Sequence, residues 1–204
     1  MEARPDLPGV RPAERDEHEA AAEALALAFV DDPAWGHLLP DDASRGERLL
    51  SFFEAEIAHH VPEYREVWIT EDGSGAAVWA HPGRWQVPLL HTLKQGPRMR
   101  KIFGRRLPLA TWTLLRIESR HPRSPDHWYL QYIGVEPRRQ GRGLGGALLA
   151  PILERCDRHG KPAHLEASSD RNRVLYERNG FALVDTYGIP AAGPPLRKMW
   201  RDPR

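Results

Sequence analysis

The chain has 204 residues, 41% hydrophobic and 28% charged, a composition that buries about two-thirds of the unfolded surface in one folded domain. A single cysteine, Cys156, excludes an internal disulfide, and the longest apolar run, ALALAFV, falls well short of the ~20 residues that span a bilayer. Net charge is +1, yet residues 1–72 carry −12 and residues 73–204 carry +13, which suits one half to a cation and the other to an anion, or describes two ordinary solvated faces.

The amino-terminal stretch MEARPDLPGVRPAERDEHE has no apolar centre, so it does not read as a secretory signal, and a cytoplasmic location without membrane partners is expected. Residues 1–9 read as a loose tail. GVRPAERDEHEAAAEALALAF reads as a short strand, a turn and a helix with Leu25 and Phe29 on one face. Asp-Pro and Pro-Asp pairs interrupt DDPAWGHLLPDDASRGERLL, and a second helix follows in GERLLSFFEAEIAHH. REVWIT and AAVWAHP are β-rich runs joined by EDGSG, a hairpin pattern. Residues 84–126 are basic and mostly helical, interrupted by Pro88, Pro97 and Pro108.

HWYLQYIGV is continuous and rich in aromatic and β-branched residues, as a central strand buried on both faces would be. LGGALLAPILERCDRHG reads as a helix with Leu144, Leu148, Ile152 and Cys156 in one stripe, a kink at Pro151 and a stop at Gly160. PAHLEAS, FALVDTY and PPLRKMWR read as strands and RNRVLYERNG as a helix, so the second half runs β-α-β-α-β.

Between that central strand and its helix lies EPRRQGRGLGGALL, with four glycines and three arginines in fourteen positions. Gly141, Gly143 and Gly146 satisfy the dinucleotide pattern G-x-G-x-x-G, and Arg138, Gly141 and Gly143 satisfy the acyl-CoA pattern R/Q-x-x-G-x-G/A. Glu166, 20 residues after Gly146, stands about where a ribose-binding acid would. Three features oppose the dinucleotide reading. Five residues, EPRRQ, separate Val135 from Gly141; the motif begins beyond residue 140, with room for only about two more helix–strand units; and the arginines suit several phosphates. A P-loop is excluded because no Gly-Lys-Ser/Thr occurs. In the acyl-CoA reading the backbone amides from Gln140 to Gly146 face a pyrophosphate at the helix N-terminus, with Arg138, Arg139 and Arg142 adding charge.

YIGVEPRRQGRGLGGALL followed by HLEASSDRNRVLYERNGF resembles the GNAT superfamily of acetyl-CoA-dependent N-acetyltransferases. VRPAERDEHE is similar to the family's first strand and turn, and AAVWAHP to its third strand. Within the family the layout is most similar to the puromycin N-acetyltransferase type. The resemblance implies an α/β (α+β) fold over residues 1–204, a mixed, splayed six- to seven-stranded sheet flanked by helices. Residues 84–126 would form a substrate-side insert and residues 128–190 the acetyl-CoA core.

The same resemblance implies roles for individual residues. Ile133, Gly134 and Val135 would lie at a bulge where the central strand leaves its neighbour, with Val135 N–H near the oxyanion. Arg138, Gln140, Gly141, Arg142, Gly143, Leu144, Gly145, Gly146 and Asn172 would contact the cofactor. Tyr176 matches the tyrosine that protonates the departing thiolate; read from its helix alone it is a core aromatic beside Leu175 and Phe181. Glu166 is the first candidate to orient the amine or lead its proton away, with Asp32 or a water as alternatives; it also reads as a salt-bridged structural glutamate. Asp31, Asp32 and Trp35 would suit a cationic amine by charge and ring face, and Asp32-Pro33 also reads as a turn.

The expected activity is transfer of acetyl from acetyl-CoA to a primary amine, of an aminonucleoside or another antibiotic-like small molecule, in a ternary complex. A protein N-acetyltransferase and a non-catalytic acyl-CoA sensor are the other readings. No metal is expected, because His59-His60 cannot both face one ion from a helix and no H-E-x-x-H or clustered Cys/His spacing occurs. RMRKIFGRR reads as a solvated helix face or the mouth of the cofactor site, not as a nucleic-acid patch. A monomer or homodimer is expected.

Overall fold

The computed structural model describes residues 9–58, 64–86 and 89–204. The tail expected over 1–9, apart from Gly9, lies outside them, as do Pro88, His59 and His60. Seven strands form one sheet: β1 (Val10–Pro12), β2 (Arg65–Thr70), β3 (Gly75–Ala80), β4 (Trp128–Val135), β5 (Ala163–Ala167), β6 (Ala182–Gly188) and β7 (Pro195–Arg201), in the order β1-β2-β3-β4-β5-β7-β6. The β4–β5 pair is parallel and every other pair antiparallel, so the sheet is mixed, as expected. REVWIT and the run to Ala80 do form a hairpin, and HWYLQYIGV supplies the fourth of the seven strands.

Among the described residues, seven α-helices flank the sheet: α1 (His18–Phe29), α2 (Pro33–Leu38), α3 (Asp42–Ala58), α4 (Leu89–Phe103), α5 (Leu107–Arg120), α6 (Leu144–His159) and α7 (Asp170–Arg178). The expected stripe of α6 is fully buried from Leu144 to Cys156, and Gly160, at φ 61°, ends the helix in the left-handed region. Burial pushes the Cys156 thiol up to about 12, which leaves it an inert part of the core. Pro151 lies inside a helix that stays continuous, and Pro97 does the same in α4, where an interruption was expected.

Alternation along the strands divides the core in two. One face joins Ala77, Trp79, Leu130, Leu165 and Ala167 to α6 and to Tyr176 of α7. The other joins Val67, Ile69, Ala76 and Val78 to α1, α3 and α4.

The strand pairing opens a gap in the middle of the sheet. β4 pairs with β5 only at Trp128–Leu130, against Ala163–Leu165, while it pairs with β3 through Val135. The register with β3 shifts between Val78 and Trp79, where Gln131 is the extra residue on β4. The bulge therefore falls three residues before Gly134. Glycine at 134 answers a close approach instead: a Cβ there would stand 2.6 Å from the Cβ of Ala28 on α1. Glu136 N–H donates to Ser74 O on the β3 side, so alternation turns the N–H and C=O groups of Ile133 and Val135 toward the gap and those of Gly134 toward β3.

Gly134→Ala is expected to destabilise the fold by about 1–3 kcal/mol through overpacking against α1. Denaturant unfolding checks it: combined with Ala28→Gly, the loss should be smaller than the sum of the single losses.

Candidate active site

The loop that follows β4 is held from both ends. Gln140 Nε2 donates to Val135 O at 2.9 Å, and Arg139 is paired with Asp72 of the β2–β3 turn. The Ser74 hydroxyl, followed by Thr70 and Arg139, holds Asp72 well below the usual carboxylate range. Gly141 and Gly143 take φ of 79° and 86°, a backbone region that side chains disfavour. A Cβ at Gly141 or Gly146 would meet nothing within 4 Å, so the space beside the loop is open. A Cβ at Gly145 would stand 3.0 Å from Leu175, which makes this glycine part of the α6–α7 packing.

The first amide engaged in α6 is that of Ala147, which donates to Gly143 O. Among the described residues the amides of 141–146 meet no acceptor, and no side chain caps the helix at Gly143. These donors gather at the positive end of a 16-residue helix, an arrangement that binds anions. Arg138 and Arg142 are exposed beside them and make no ion pair among the described residues. Leu144 is buried in the core, so its contribution to a ligand is confined to its backbone.

A second group closes around the carboxyl end of β5. Asp32 caps α2 by accepting from Ala34 N–H at 2.9 Å and Trp35 N–H at 3.2 Å, and its other oxygen accepts from the Ser168 hydroxyl. Asn172 Nδ2 reaches the same hydroxyl at 3.5 Å, while its backbone N–H is taken by Ser169, the cap of α7. Tyr176, one turn further along α7, is 5% exposed with its ring packed beside Phe181. Burial raises the Tyr176 phenol, and the nearby Asp32 charge adds to the effect. Burial also raises Asp32, against the lowering by Ser168 and the two amides. Ser168 was not singled out in the sequence; its place two residues after Glu166 in LEASS was the available signal.

Glu166 does not join this group. Leu165 and Ala167 share the core with Tyr176, so alternation puts Glu166 on the opposite face, where it faces His164 Nε2 at 3.0 Å. Asp31 is exposed at the α1–α2 junction. Trp35 is half-buried in an aromatic cluster with Phe29, Phe52, Phe53 and Phe103, its ring 4.7 Å from that of Phe52. RMRKIFGRR spans the end of α4, with Ile102 and Phe103 in the core, Arg98 paired to Glu54 and Arg106 donating to His37 O. It is a helix end with a solvated basic side.

The comparisons agree with this geometry. Residues 100–181, from the end of α4 through α7, match the acetyltransferase (GNAT) family. An uncharacterised N-acetyltransferase of Schizosaccharomyces pombe is 29% identical over 93% of this chain and 81% of its own length. A Corynebacterium glutamicum structure described as histone acetyltransferase HPA2 and related acetyltransferase is 26% identical, covers 97% of both chains and superposes with a TM-score of 0.70. A Sinorhizobium meliloti phosphinothricin acetyltransferase in complex with AcCoA shares the fold at 14% identity, over 96% of this chain and 88% of that one, with a TM-score of 0.53. Among the described residues no helix is long and apolar enough to cross a membrane. The family match over residues 100–181, the N-acetyltransferase relative and the splayed sheet together make this chain similar to the GNAT acetyltransferases.

Proposed function

We propose that the enzyme moves an acetyl group from acetyl-CoA to a primary amine of a small molecule, by direct attack in a ternary complex. The observation that carries the donor is the row of unpaired amides at 141–146 on the α6 N-terminus, with open space beside Gly141 and Gly146. Arg138 and Arg142 add charge for the further phosphates. The inward-turned groups of Ile133 and the N–H of Val135 offer an unpaired edge to the pantetheine amides, while Val135 O is taken by Gln140. A neighbour of the same fold holds AcCoA, which supports the same donor.

The chemistry assigns one role to each group. The amine nitrogen attacks the thioester carbonyl carbon after its ammonium form has lost a proton to Asp32, a carboxyl whose burial makes it more basic than usual. Val135 N–H donates to the oxyanion of the tetrahedral intermediate. The C–S bond then breaks, Tyr176 gives its proton to the departing sulfur, and the second proton that the nitrogen sheds as the amide forms restores the phenol. The phenol is held neutral by burial, and the same desolvation disfavours a thiolate beside it, so donor and acceptor stay matched.

The acceptor side supports a small molecule. α5 lies over the carboxyl-terminal strands: Ile117 packs with Tyr187, Ile189 and Leu196, Arg116 donates to Gly188 O and Arg120 pairs with Asp185. α5, which falls within the expected insert, thus lies over the sheet, and this supports a small-molecule acceptor over a peptide that would need an open groove. An aminonucleoside is the first class to try, from the resemblance to the puromycin N-acetyltransferase type; aminoglycosides, polyamines and peptides complete a panel read by thiol release from acetyl-CoA. Tight CoA binding with no release across the panel would make the protein a sensor instead.

Tyr176→Phe is expected to lower kcat by about 10²–10⁴ with little change in the KM for acetyl-CoA; an unchanged kcat removes it as the acid. Arg142→Ala should raise the KM for acetyl-CoA about tenfold and leave turnover of acetyl-pantetheine, which has no pyrophosphate, unaltered. Wild-type kcat should fall as pH drops through the raised Asp32 value. Asp32→Asn, which keeps the helix cap, should lower kcat and abolish that acidic limb in a pH–rate profile.

A further inference from the structure

On the sheet face away from Tyr176, three histidines and Glu166 gather beneath the end of α5. His164 is 0% exposed, His127 3%, His121 4%, and the Glu166 side chain 6%. One ligating atom each from His121, His164 and Glu166 lie within 4.8 Å of one another. Sequence spacing hides this cluster, since only His164 and Glu166, two apart on β5, hint at a shared face.

Hydrogen-bond geometry constrains where the protons of neutral rings can sit. His164 Nδ1 lies 2.9 Å from Met199 O, a pure acceptor, so Nδ1 carries the hydrogen and Nε2 of the neutral ring has a lone pair. In the neutral ring that lone pair faces Glu166 Oε1 at 3.0 Å, acceptor against acceptor, a contact that either a second ring proton or a bridging cation satisfies. His127 Nδ1 lies 2.8 Å from Pro125 O and is likewise protonated, so its Nε2 accepts from His121 Nε2–H at 3.0 Å. His121 Nδ1 is then a bare lone pair, buried and without a partner, and Glu166 Oε2 is buried without one too. Lone pairs left dry in this way cost free energy unless something positive sits among them.

We propose that His121, His164 and Glu166 bind one divalent transition-metal ion. Two imidazoles and a carboxylate are the donors that zinc takes, and too few oxygens for calcium or magnesium. The outer partners fit as well: Met199 O orients His164, Pro125 O orients His121 through His127, and the Tyr187 hydroxyl donates to Glu166 Oε1 at 3.4 Å. Trp85 stacks on His121 with centroids 3.8 Å apart and walls the cluster. A cavity of about 230 Å³ lined by Trp85, Asp126 and His127 opens beside it and provides a way in. The ion would tie the segment after α5 to β5, and so hold the insert over the sheet. This inference stands apart from the acetyl-transfer reading.

The test uses the full chain, stripped with a chelator and titrated with Zn²⁺ or Co²⁺. Expected are one equivalent of metal by elemental analysis, tetrahedral Co²⁺ bands in the visible spectrum, and a Tm raised by roughly 5–10 °C at a hundredfold excess over Kd. His121→Gln and His164→Gln should each lose the Tm shift. If either fails to fold, Glu166→Gln, of nearly equal volume, should fold and lose it. No stoichiometric binding of either ion overturns the proposal, as does undiminished binding in Glu166→Gln. A ¹⁵N spectrum showing His164 Nε2 protonated in excess Zn²⁺ also overturns it, because a proton then holds the ion's place.

Discussion

The early parting of β4 from β5 is the constraint on which the rest of this structure depends. β5 is paired with β7 along all five of its residues, so it is anchored from the other side and cannot follow β4. β4 keeps its bonds to β3, and the extra residue at Gln131 adds local twist at the point where the two strands separate. Helix α1 presses on Gly134 just beyond that point. The backbone groups of Ile133 and the N–H of Val135 are left facing a gap, and unpaired peptide groups in a core are costly unless a ligand or water meets them. A sheet that splits in its middle strand therefore carries a binding edge as a consequence of its own pairing.

The two ends of the gap differ in electrostatics. At one, the N-terminus of α6, exposed arginines and unpaired amides offer only positive potential. At the other, Asp32, Ser168, Asn172 and Tyr176 form a small polar group in a dry setting. Burial there raises both the carboxyl and the phenol, which suits proton traffic better than charge storage. The −12 and +13 split of the chain explains less of this than it suggests. Several first-half acids are engaged locally: Glu17 with Arg11, Glu54 with Arg98 and Glu56 with Arg65. Asp72 reaches across to Arg139 in the glycine-rich loop after β4.

Much of the fold was legible because its signals are local. The α6 stripe, the β2–β3 hairpin, the Gly160 stop and the central place of HWYLQYIGV all follow from periodicity and turn chemistry. The bulge was misplaced because Gly134 carries two explanations, and only the position of Ala28 on a distant helix separates them. Asp32 read equally as a substrate anchor and as a turn residue; in the fold its oxygens are engaged by a helix cap and by Ser168, 136 positions away. Trp35 looked like an open ring face, but Phe103 and Phe52 come from helices whose packing the sequence does not state.

By itself the sequence determined the strand–loop–helix unit from Trp128 to His159, with its positive-φ glycines and arginines, since each of those properties is set within a few residues. Which carboxylate faces which neighbour was decided only by tertiary structure. Glu166 and Tyr176 sit ten residues apart in one motif, yet strand alternation and the turn into α7 send them to opposite faces of the sheet. His121, His127 and His164 meet for the same reason: a loop after α5 folds back over β5, and burial at long range, not spacing, brings their lone pairs together.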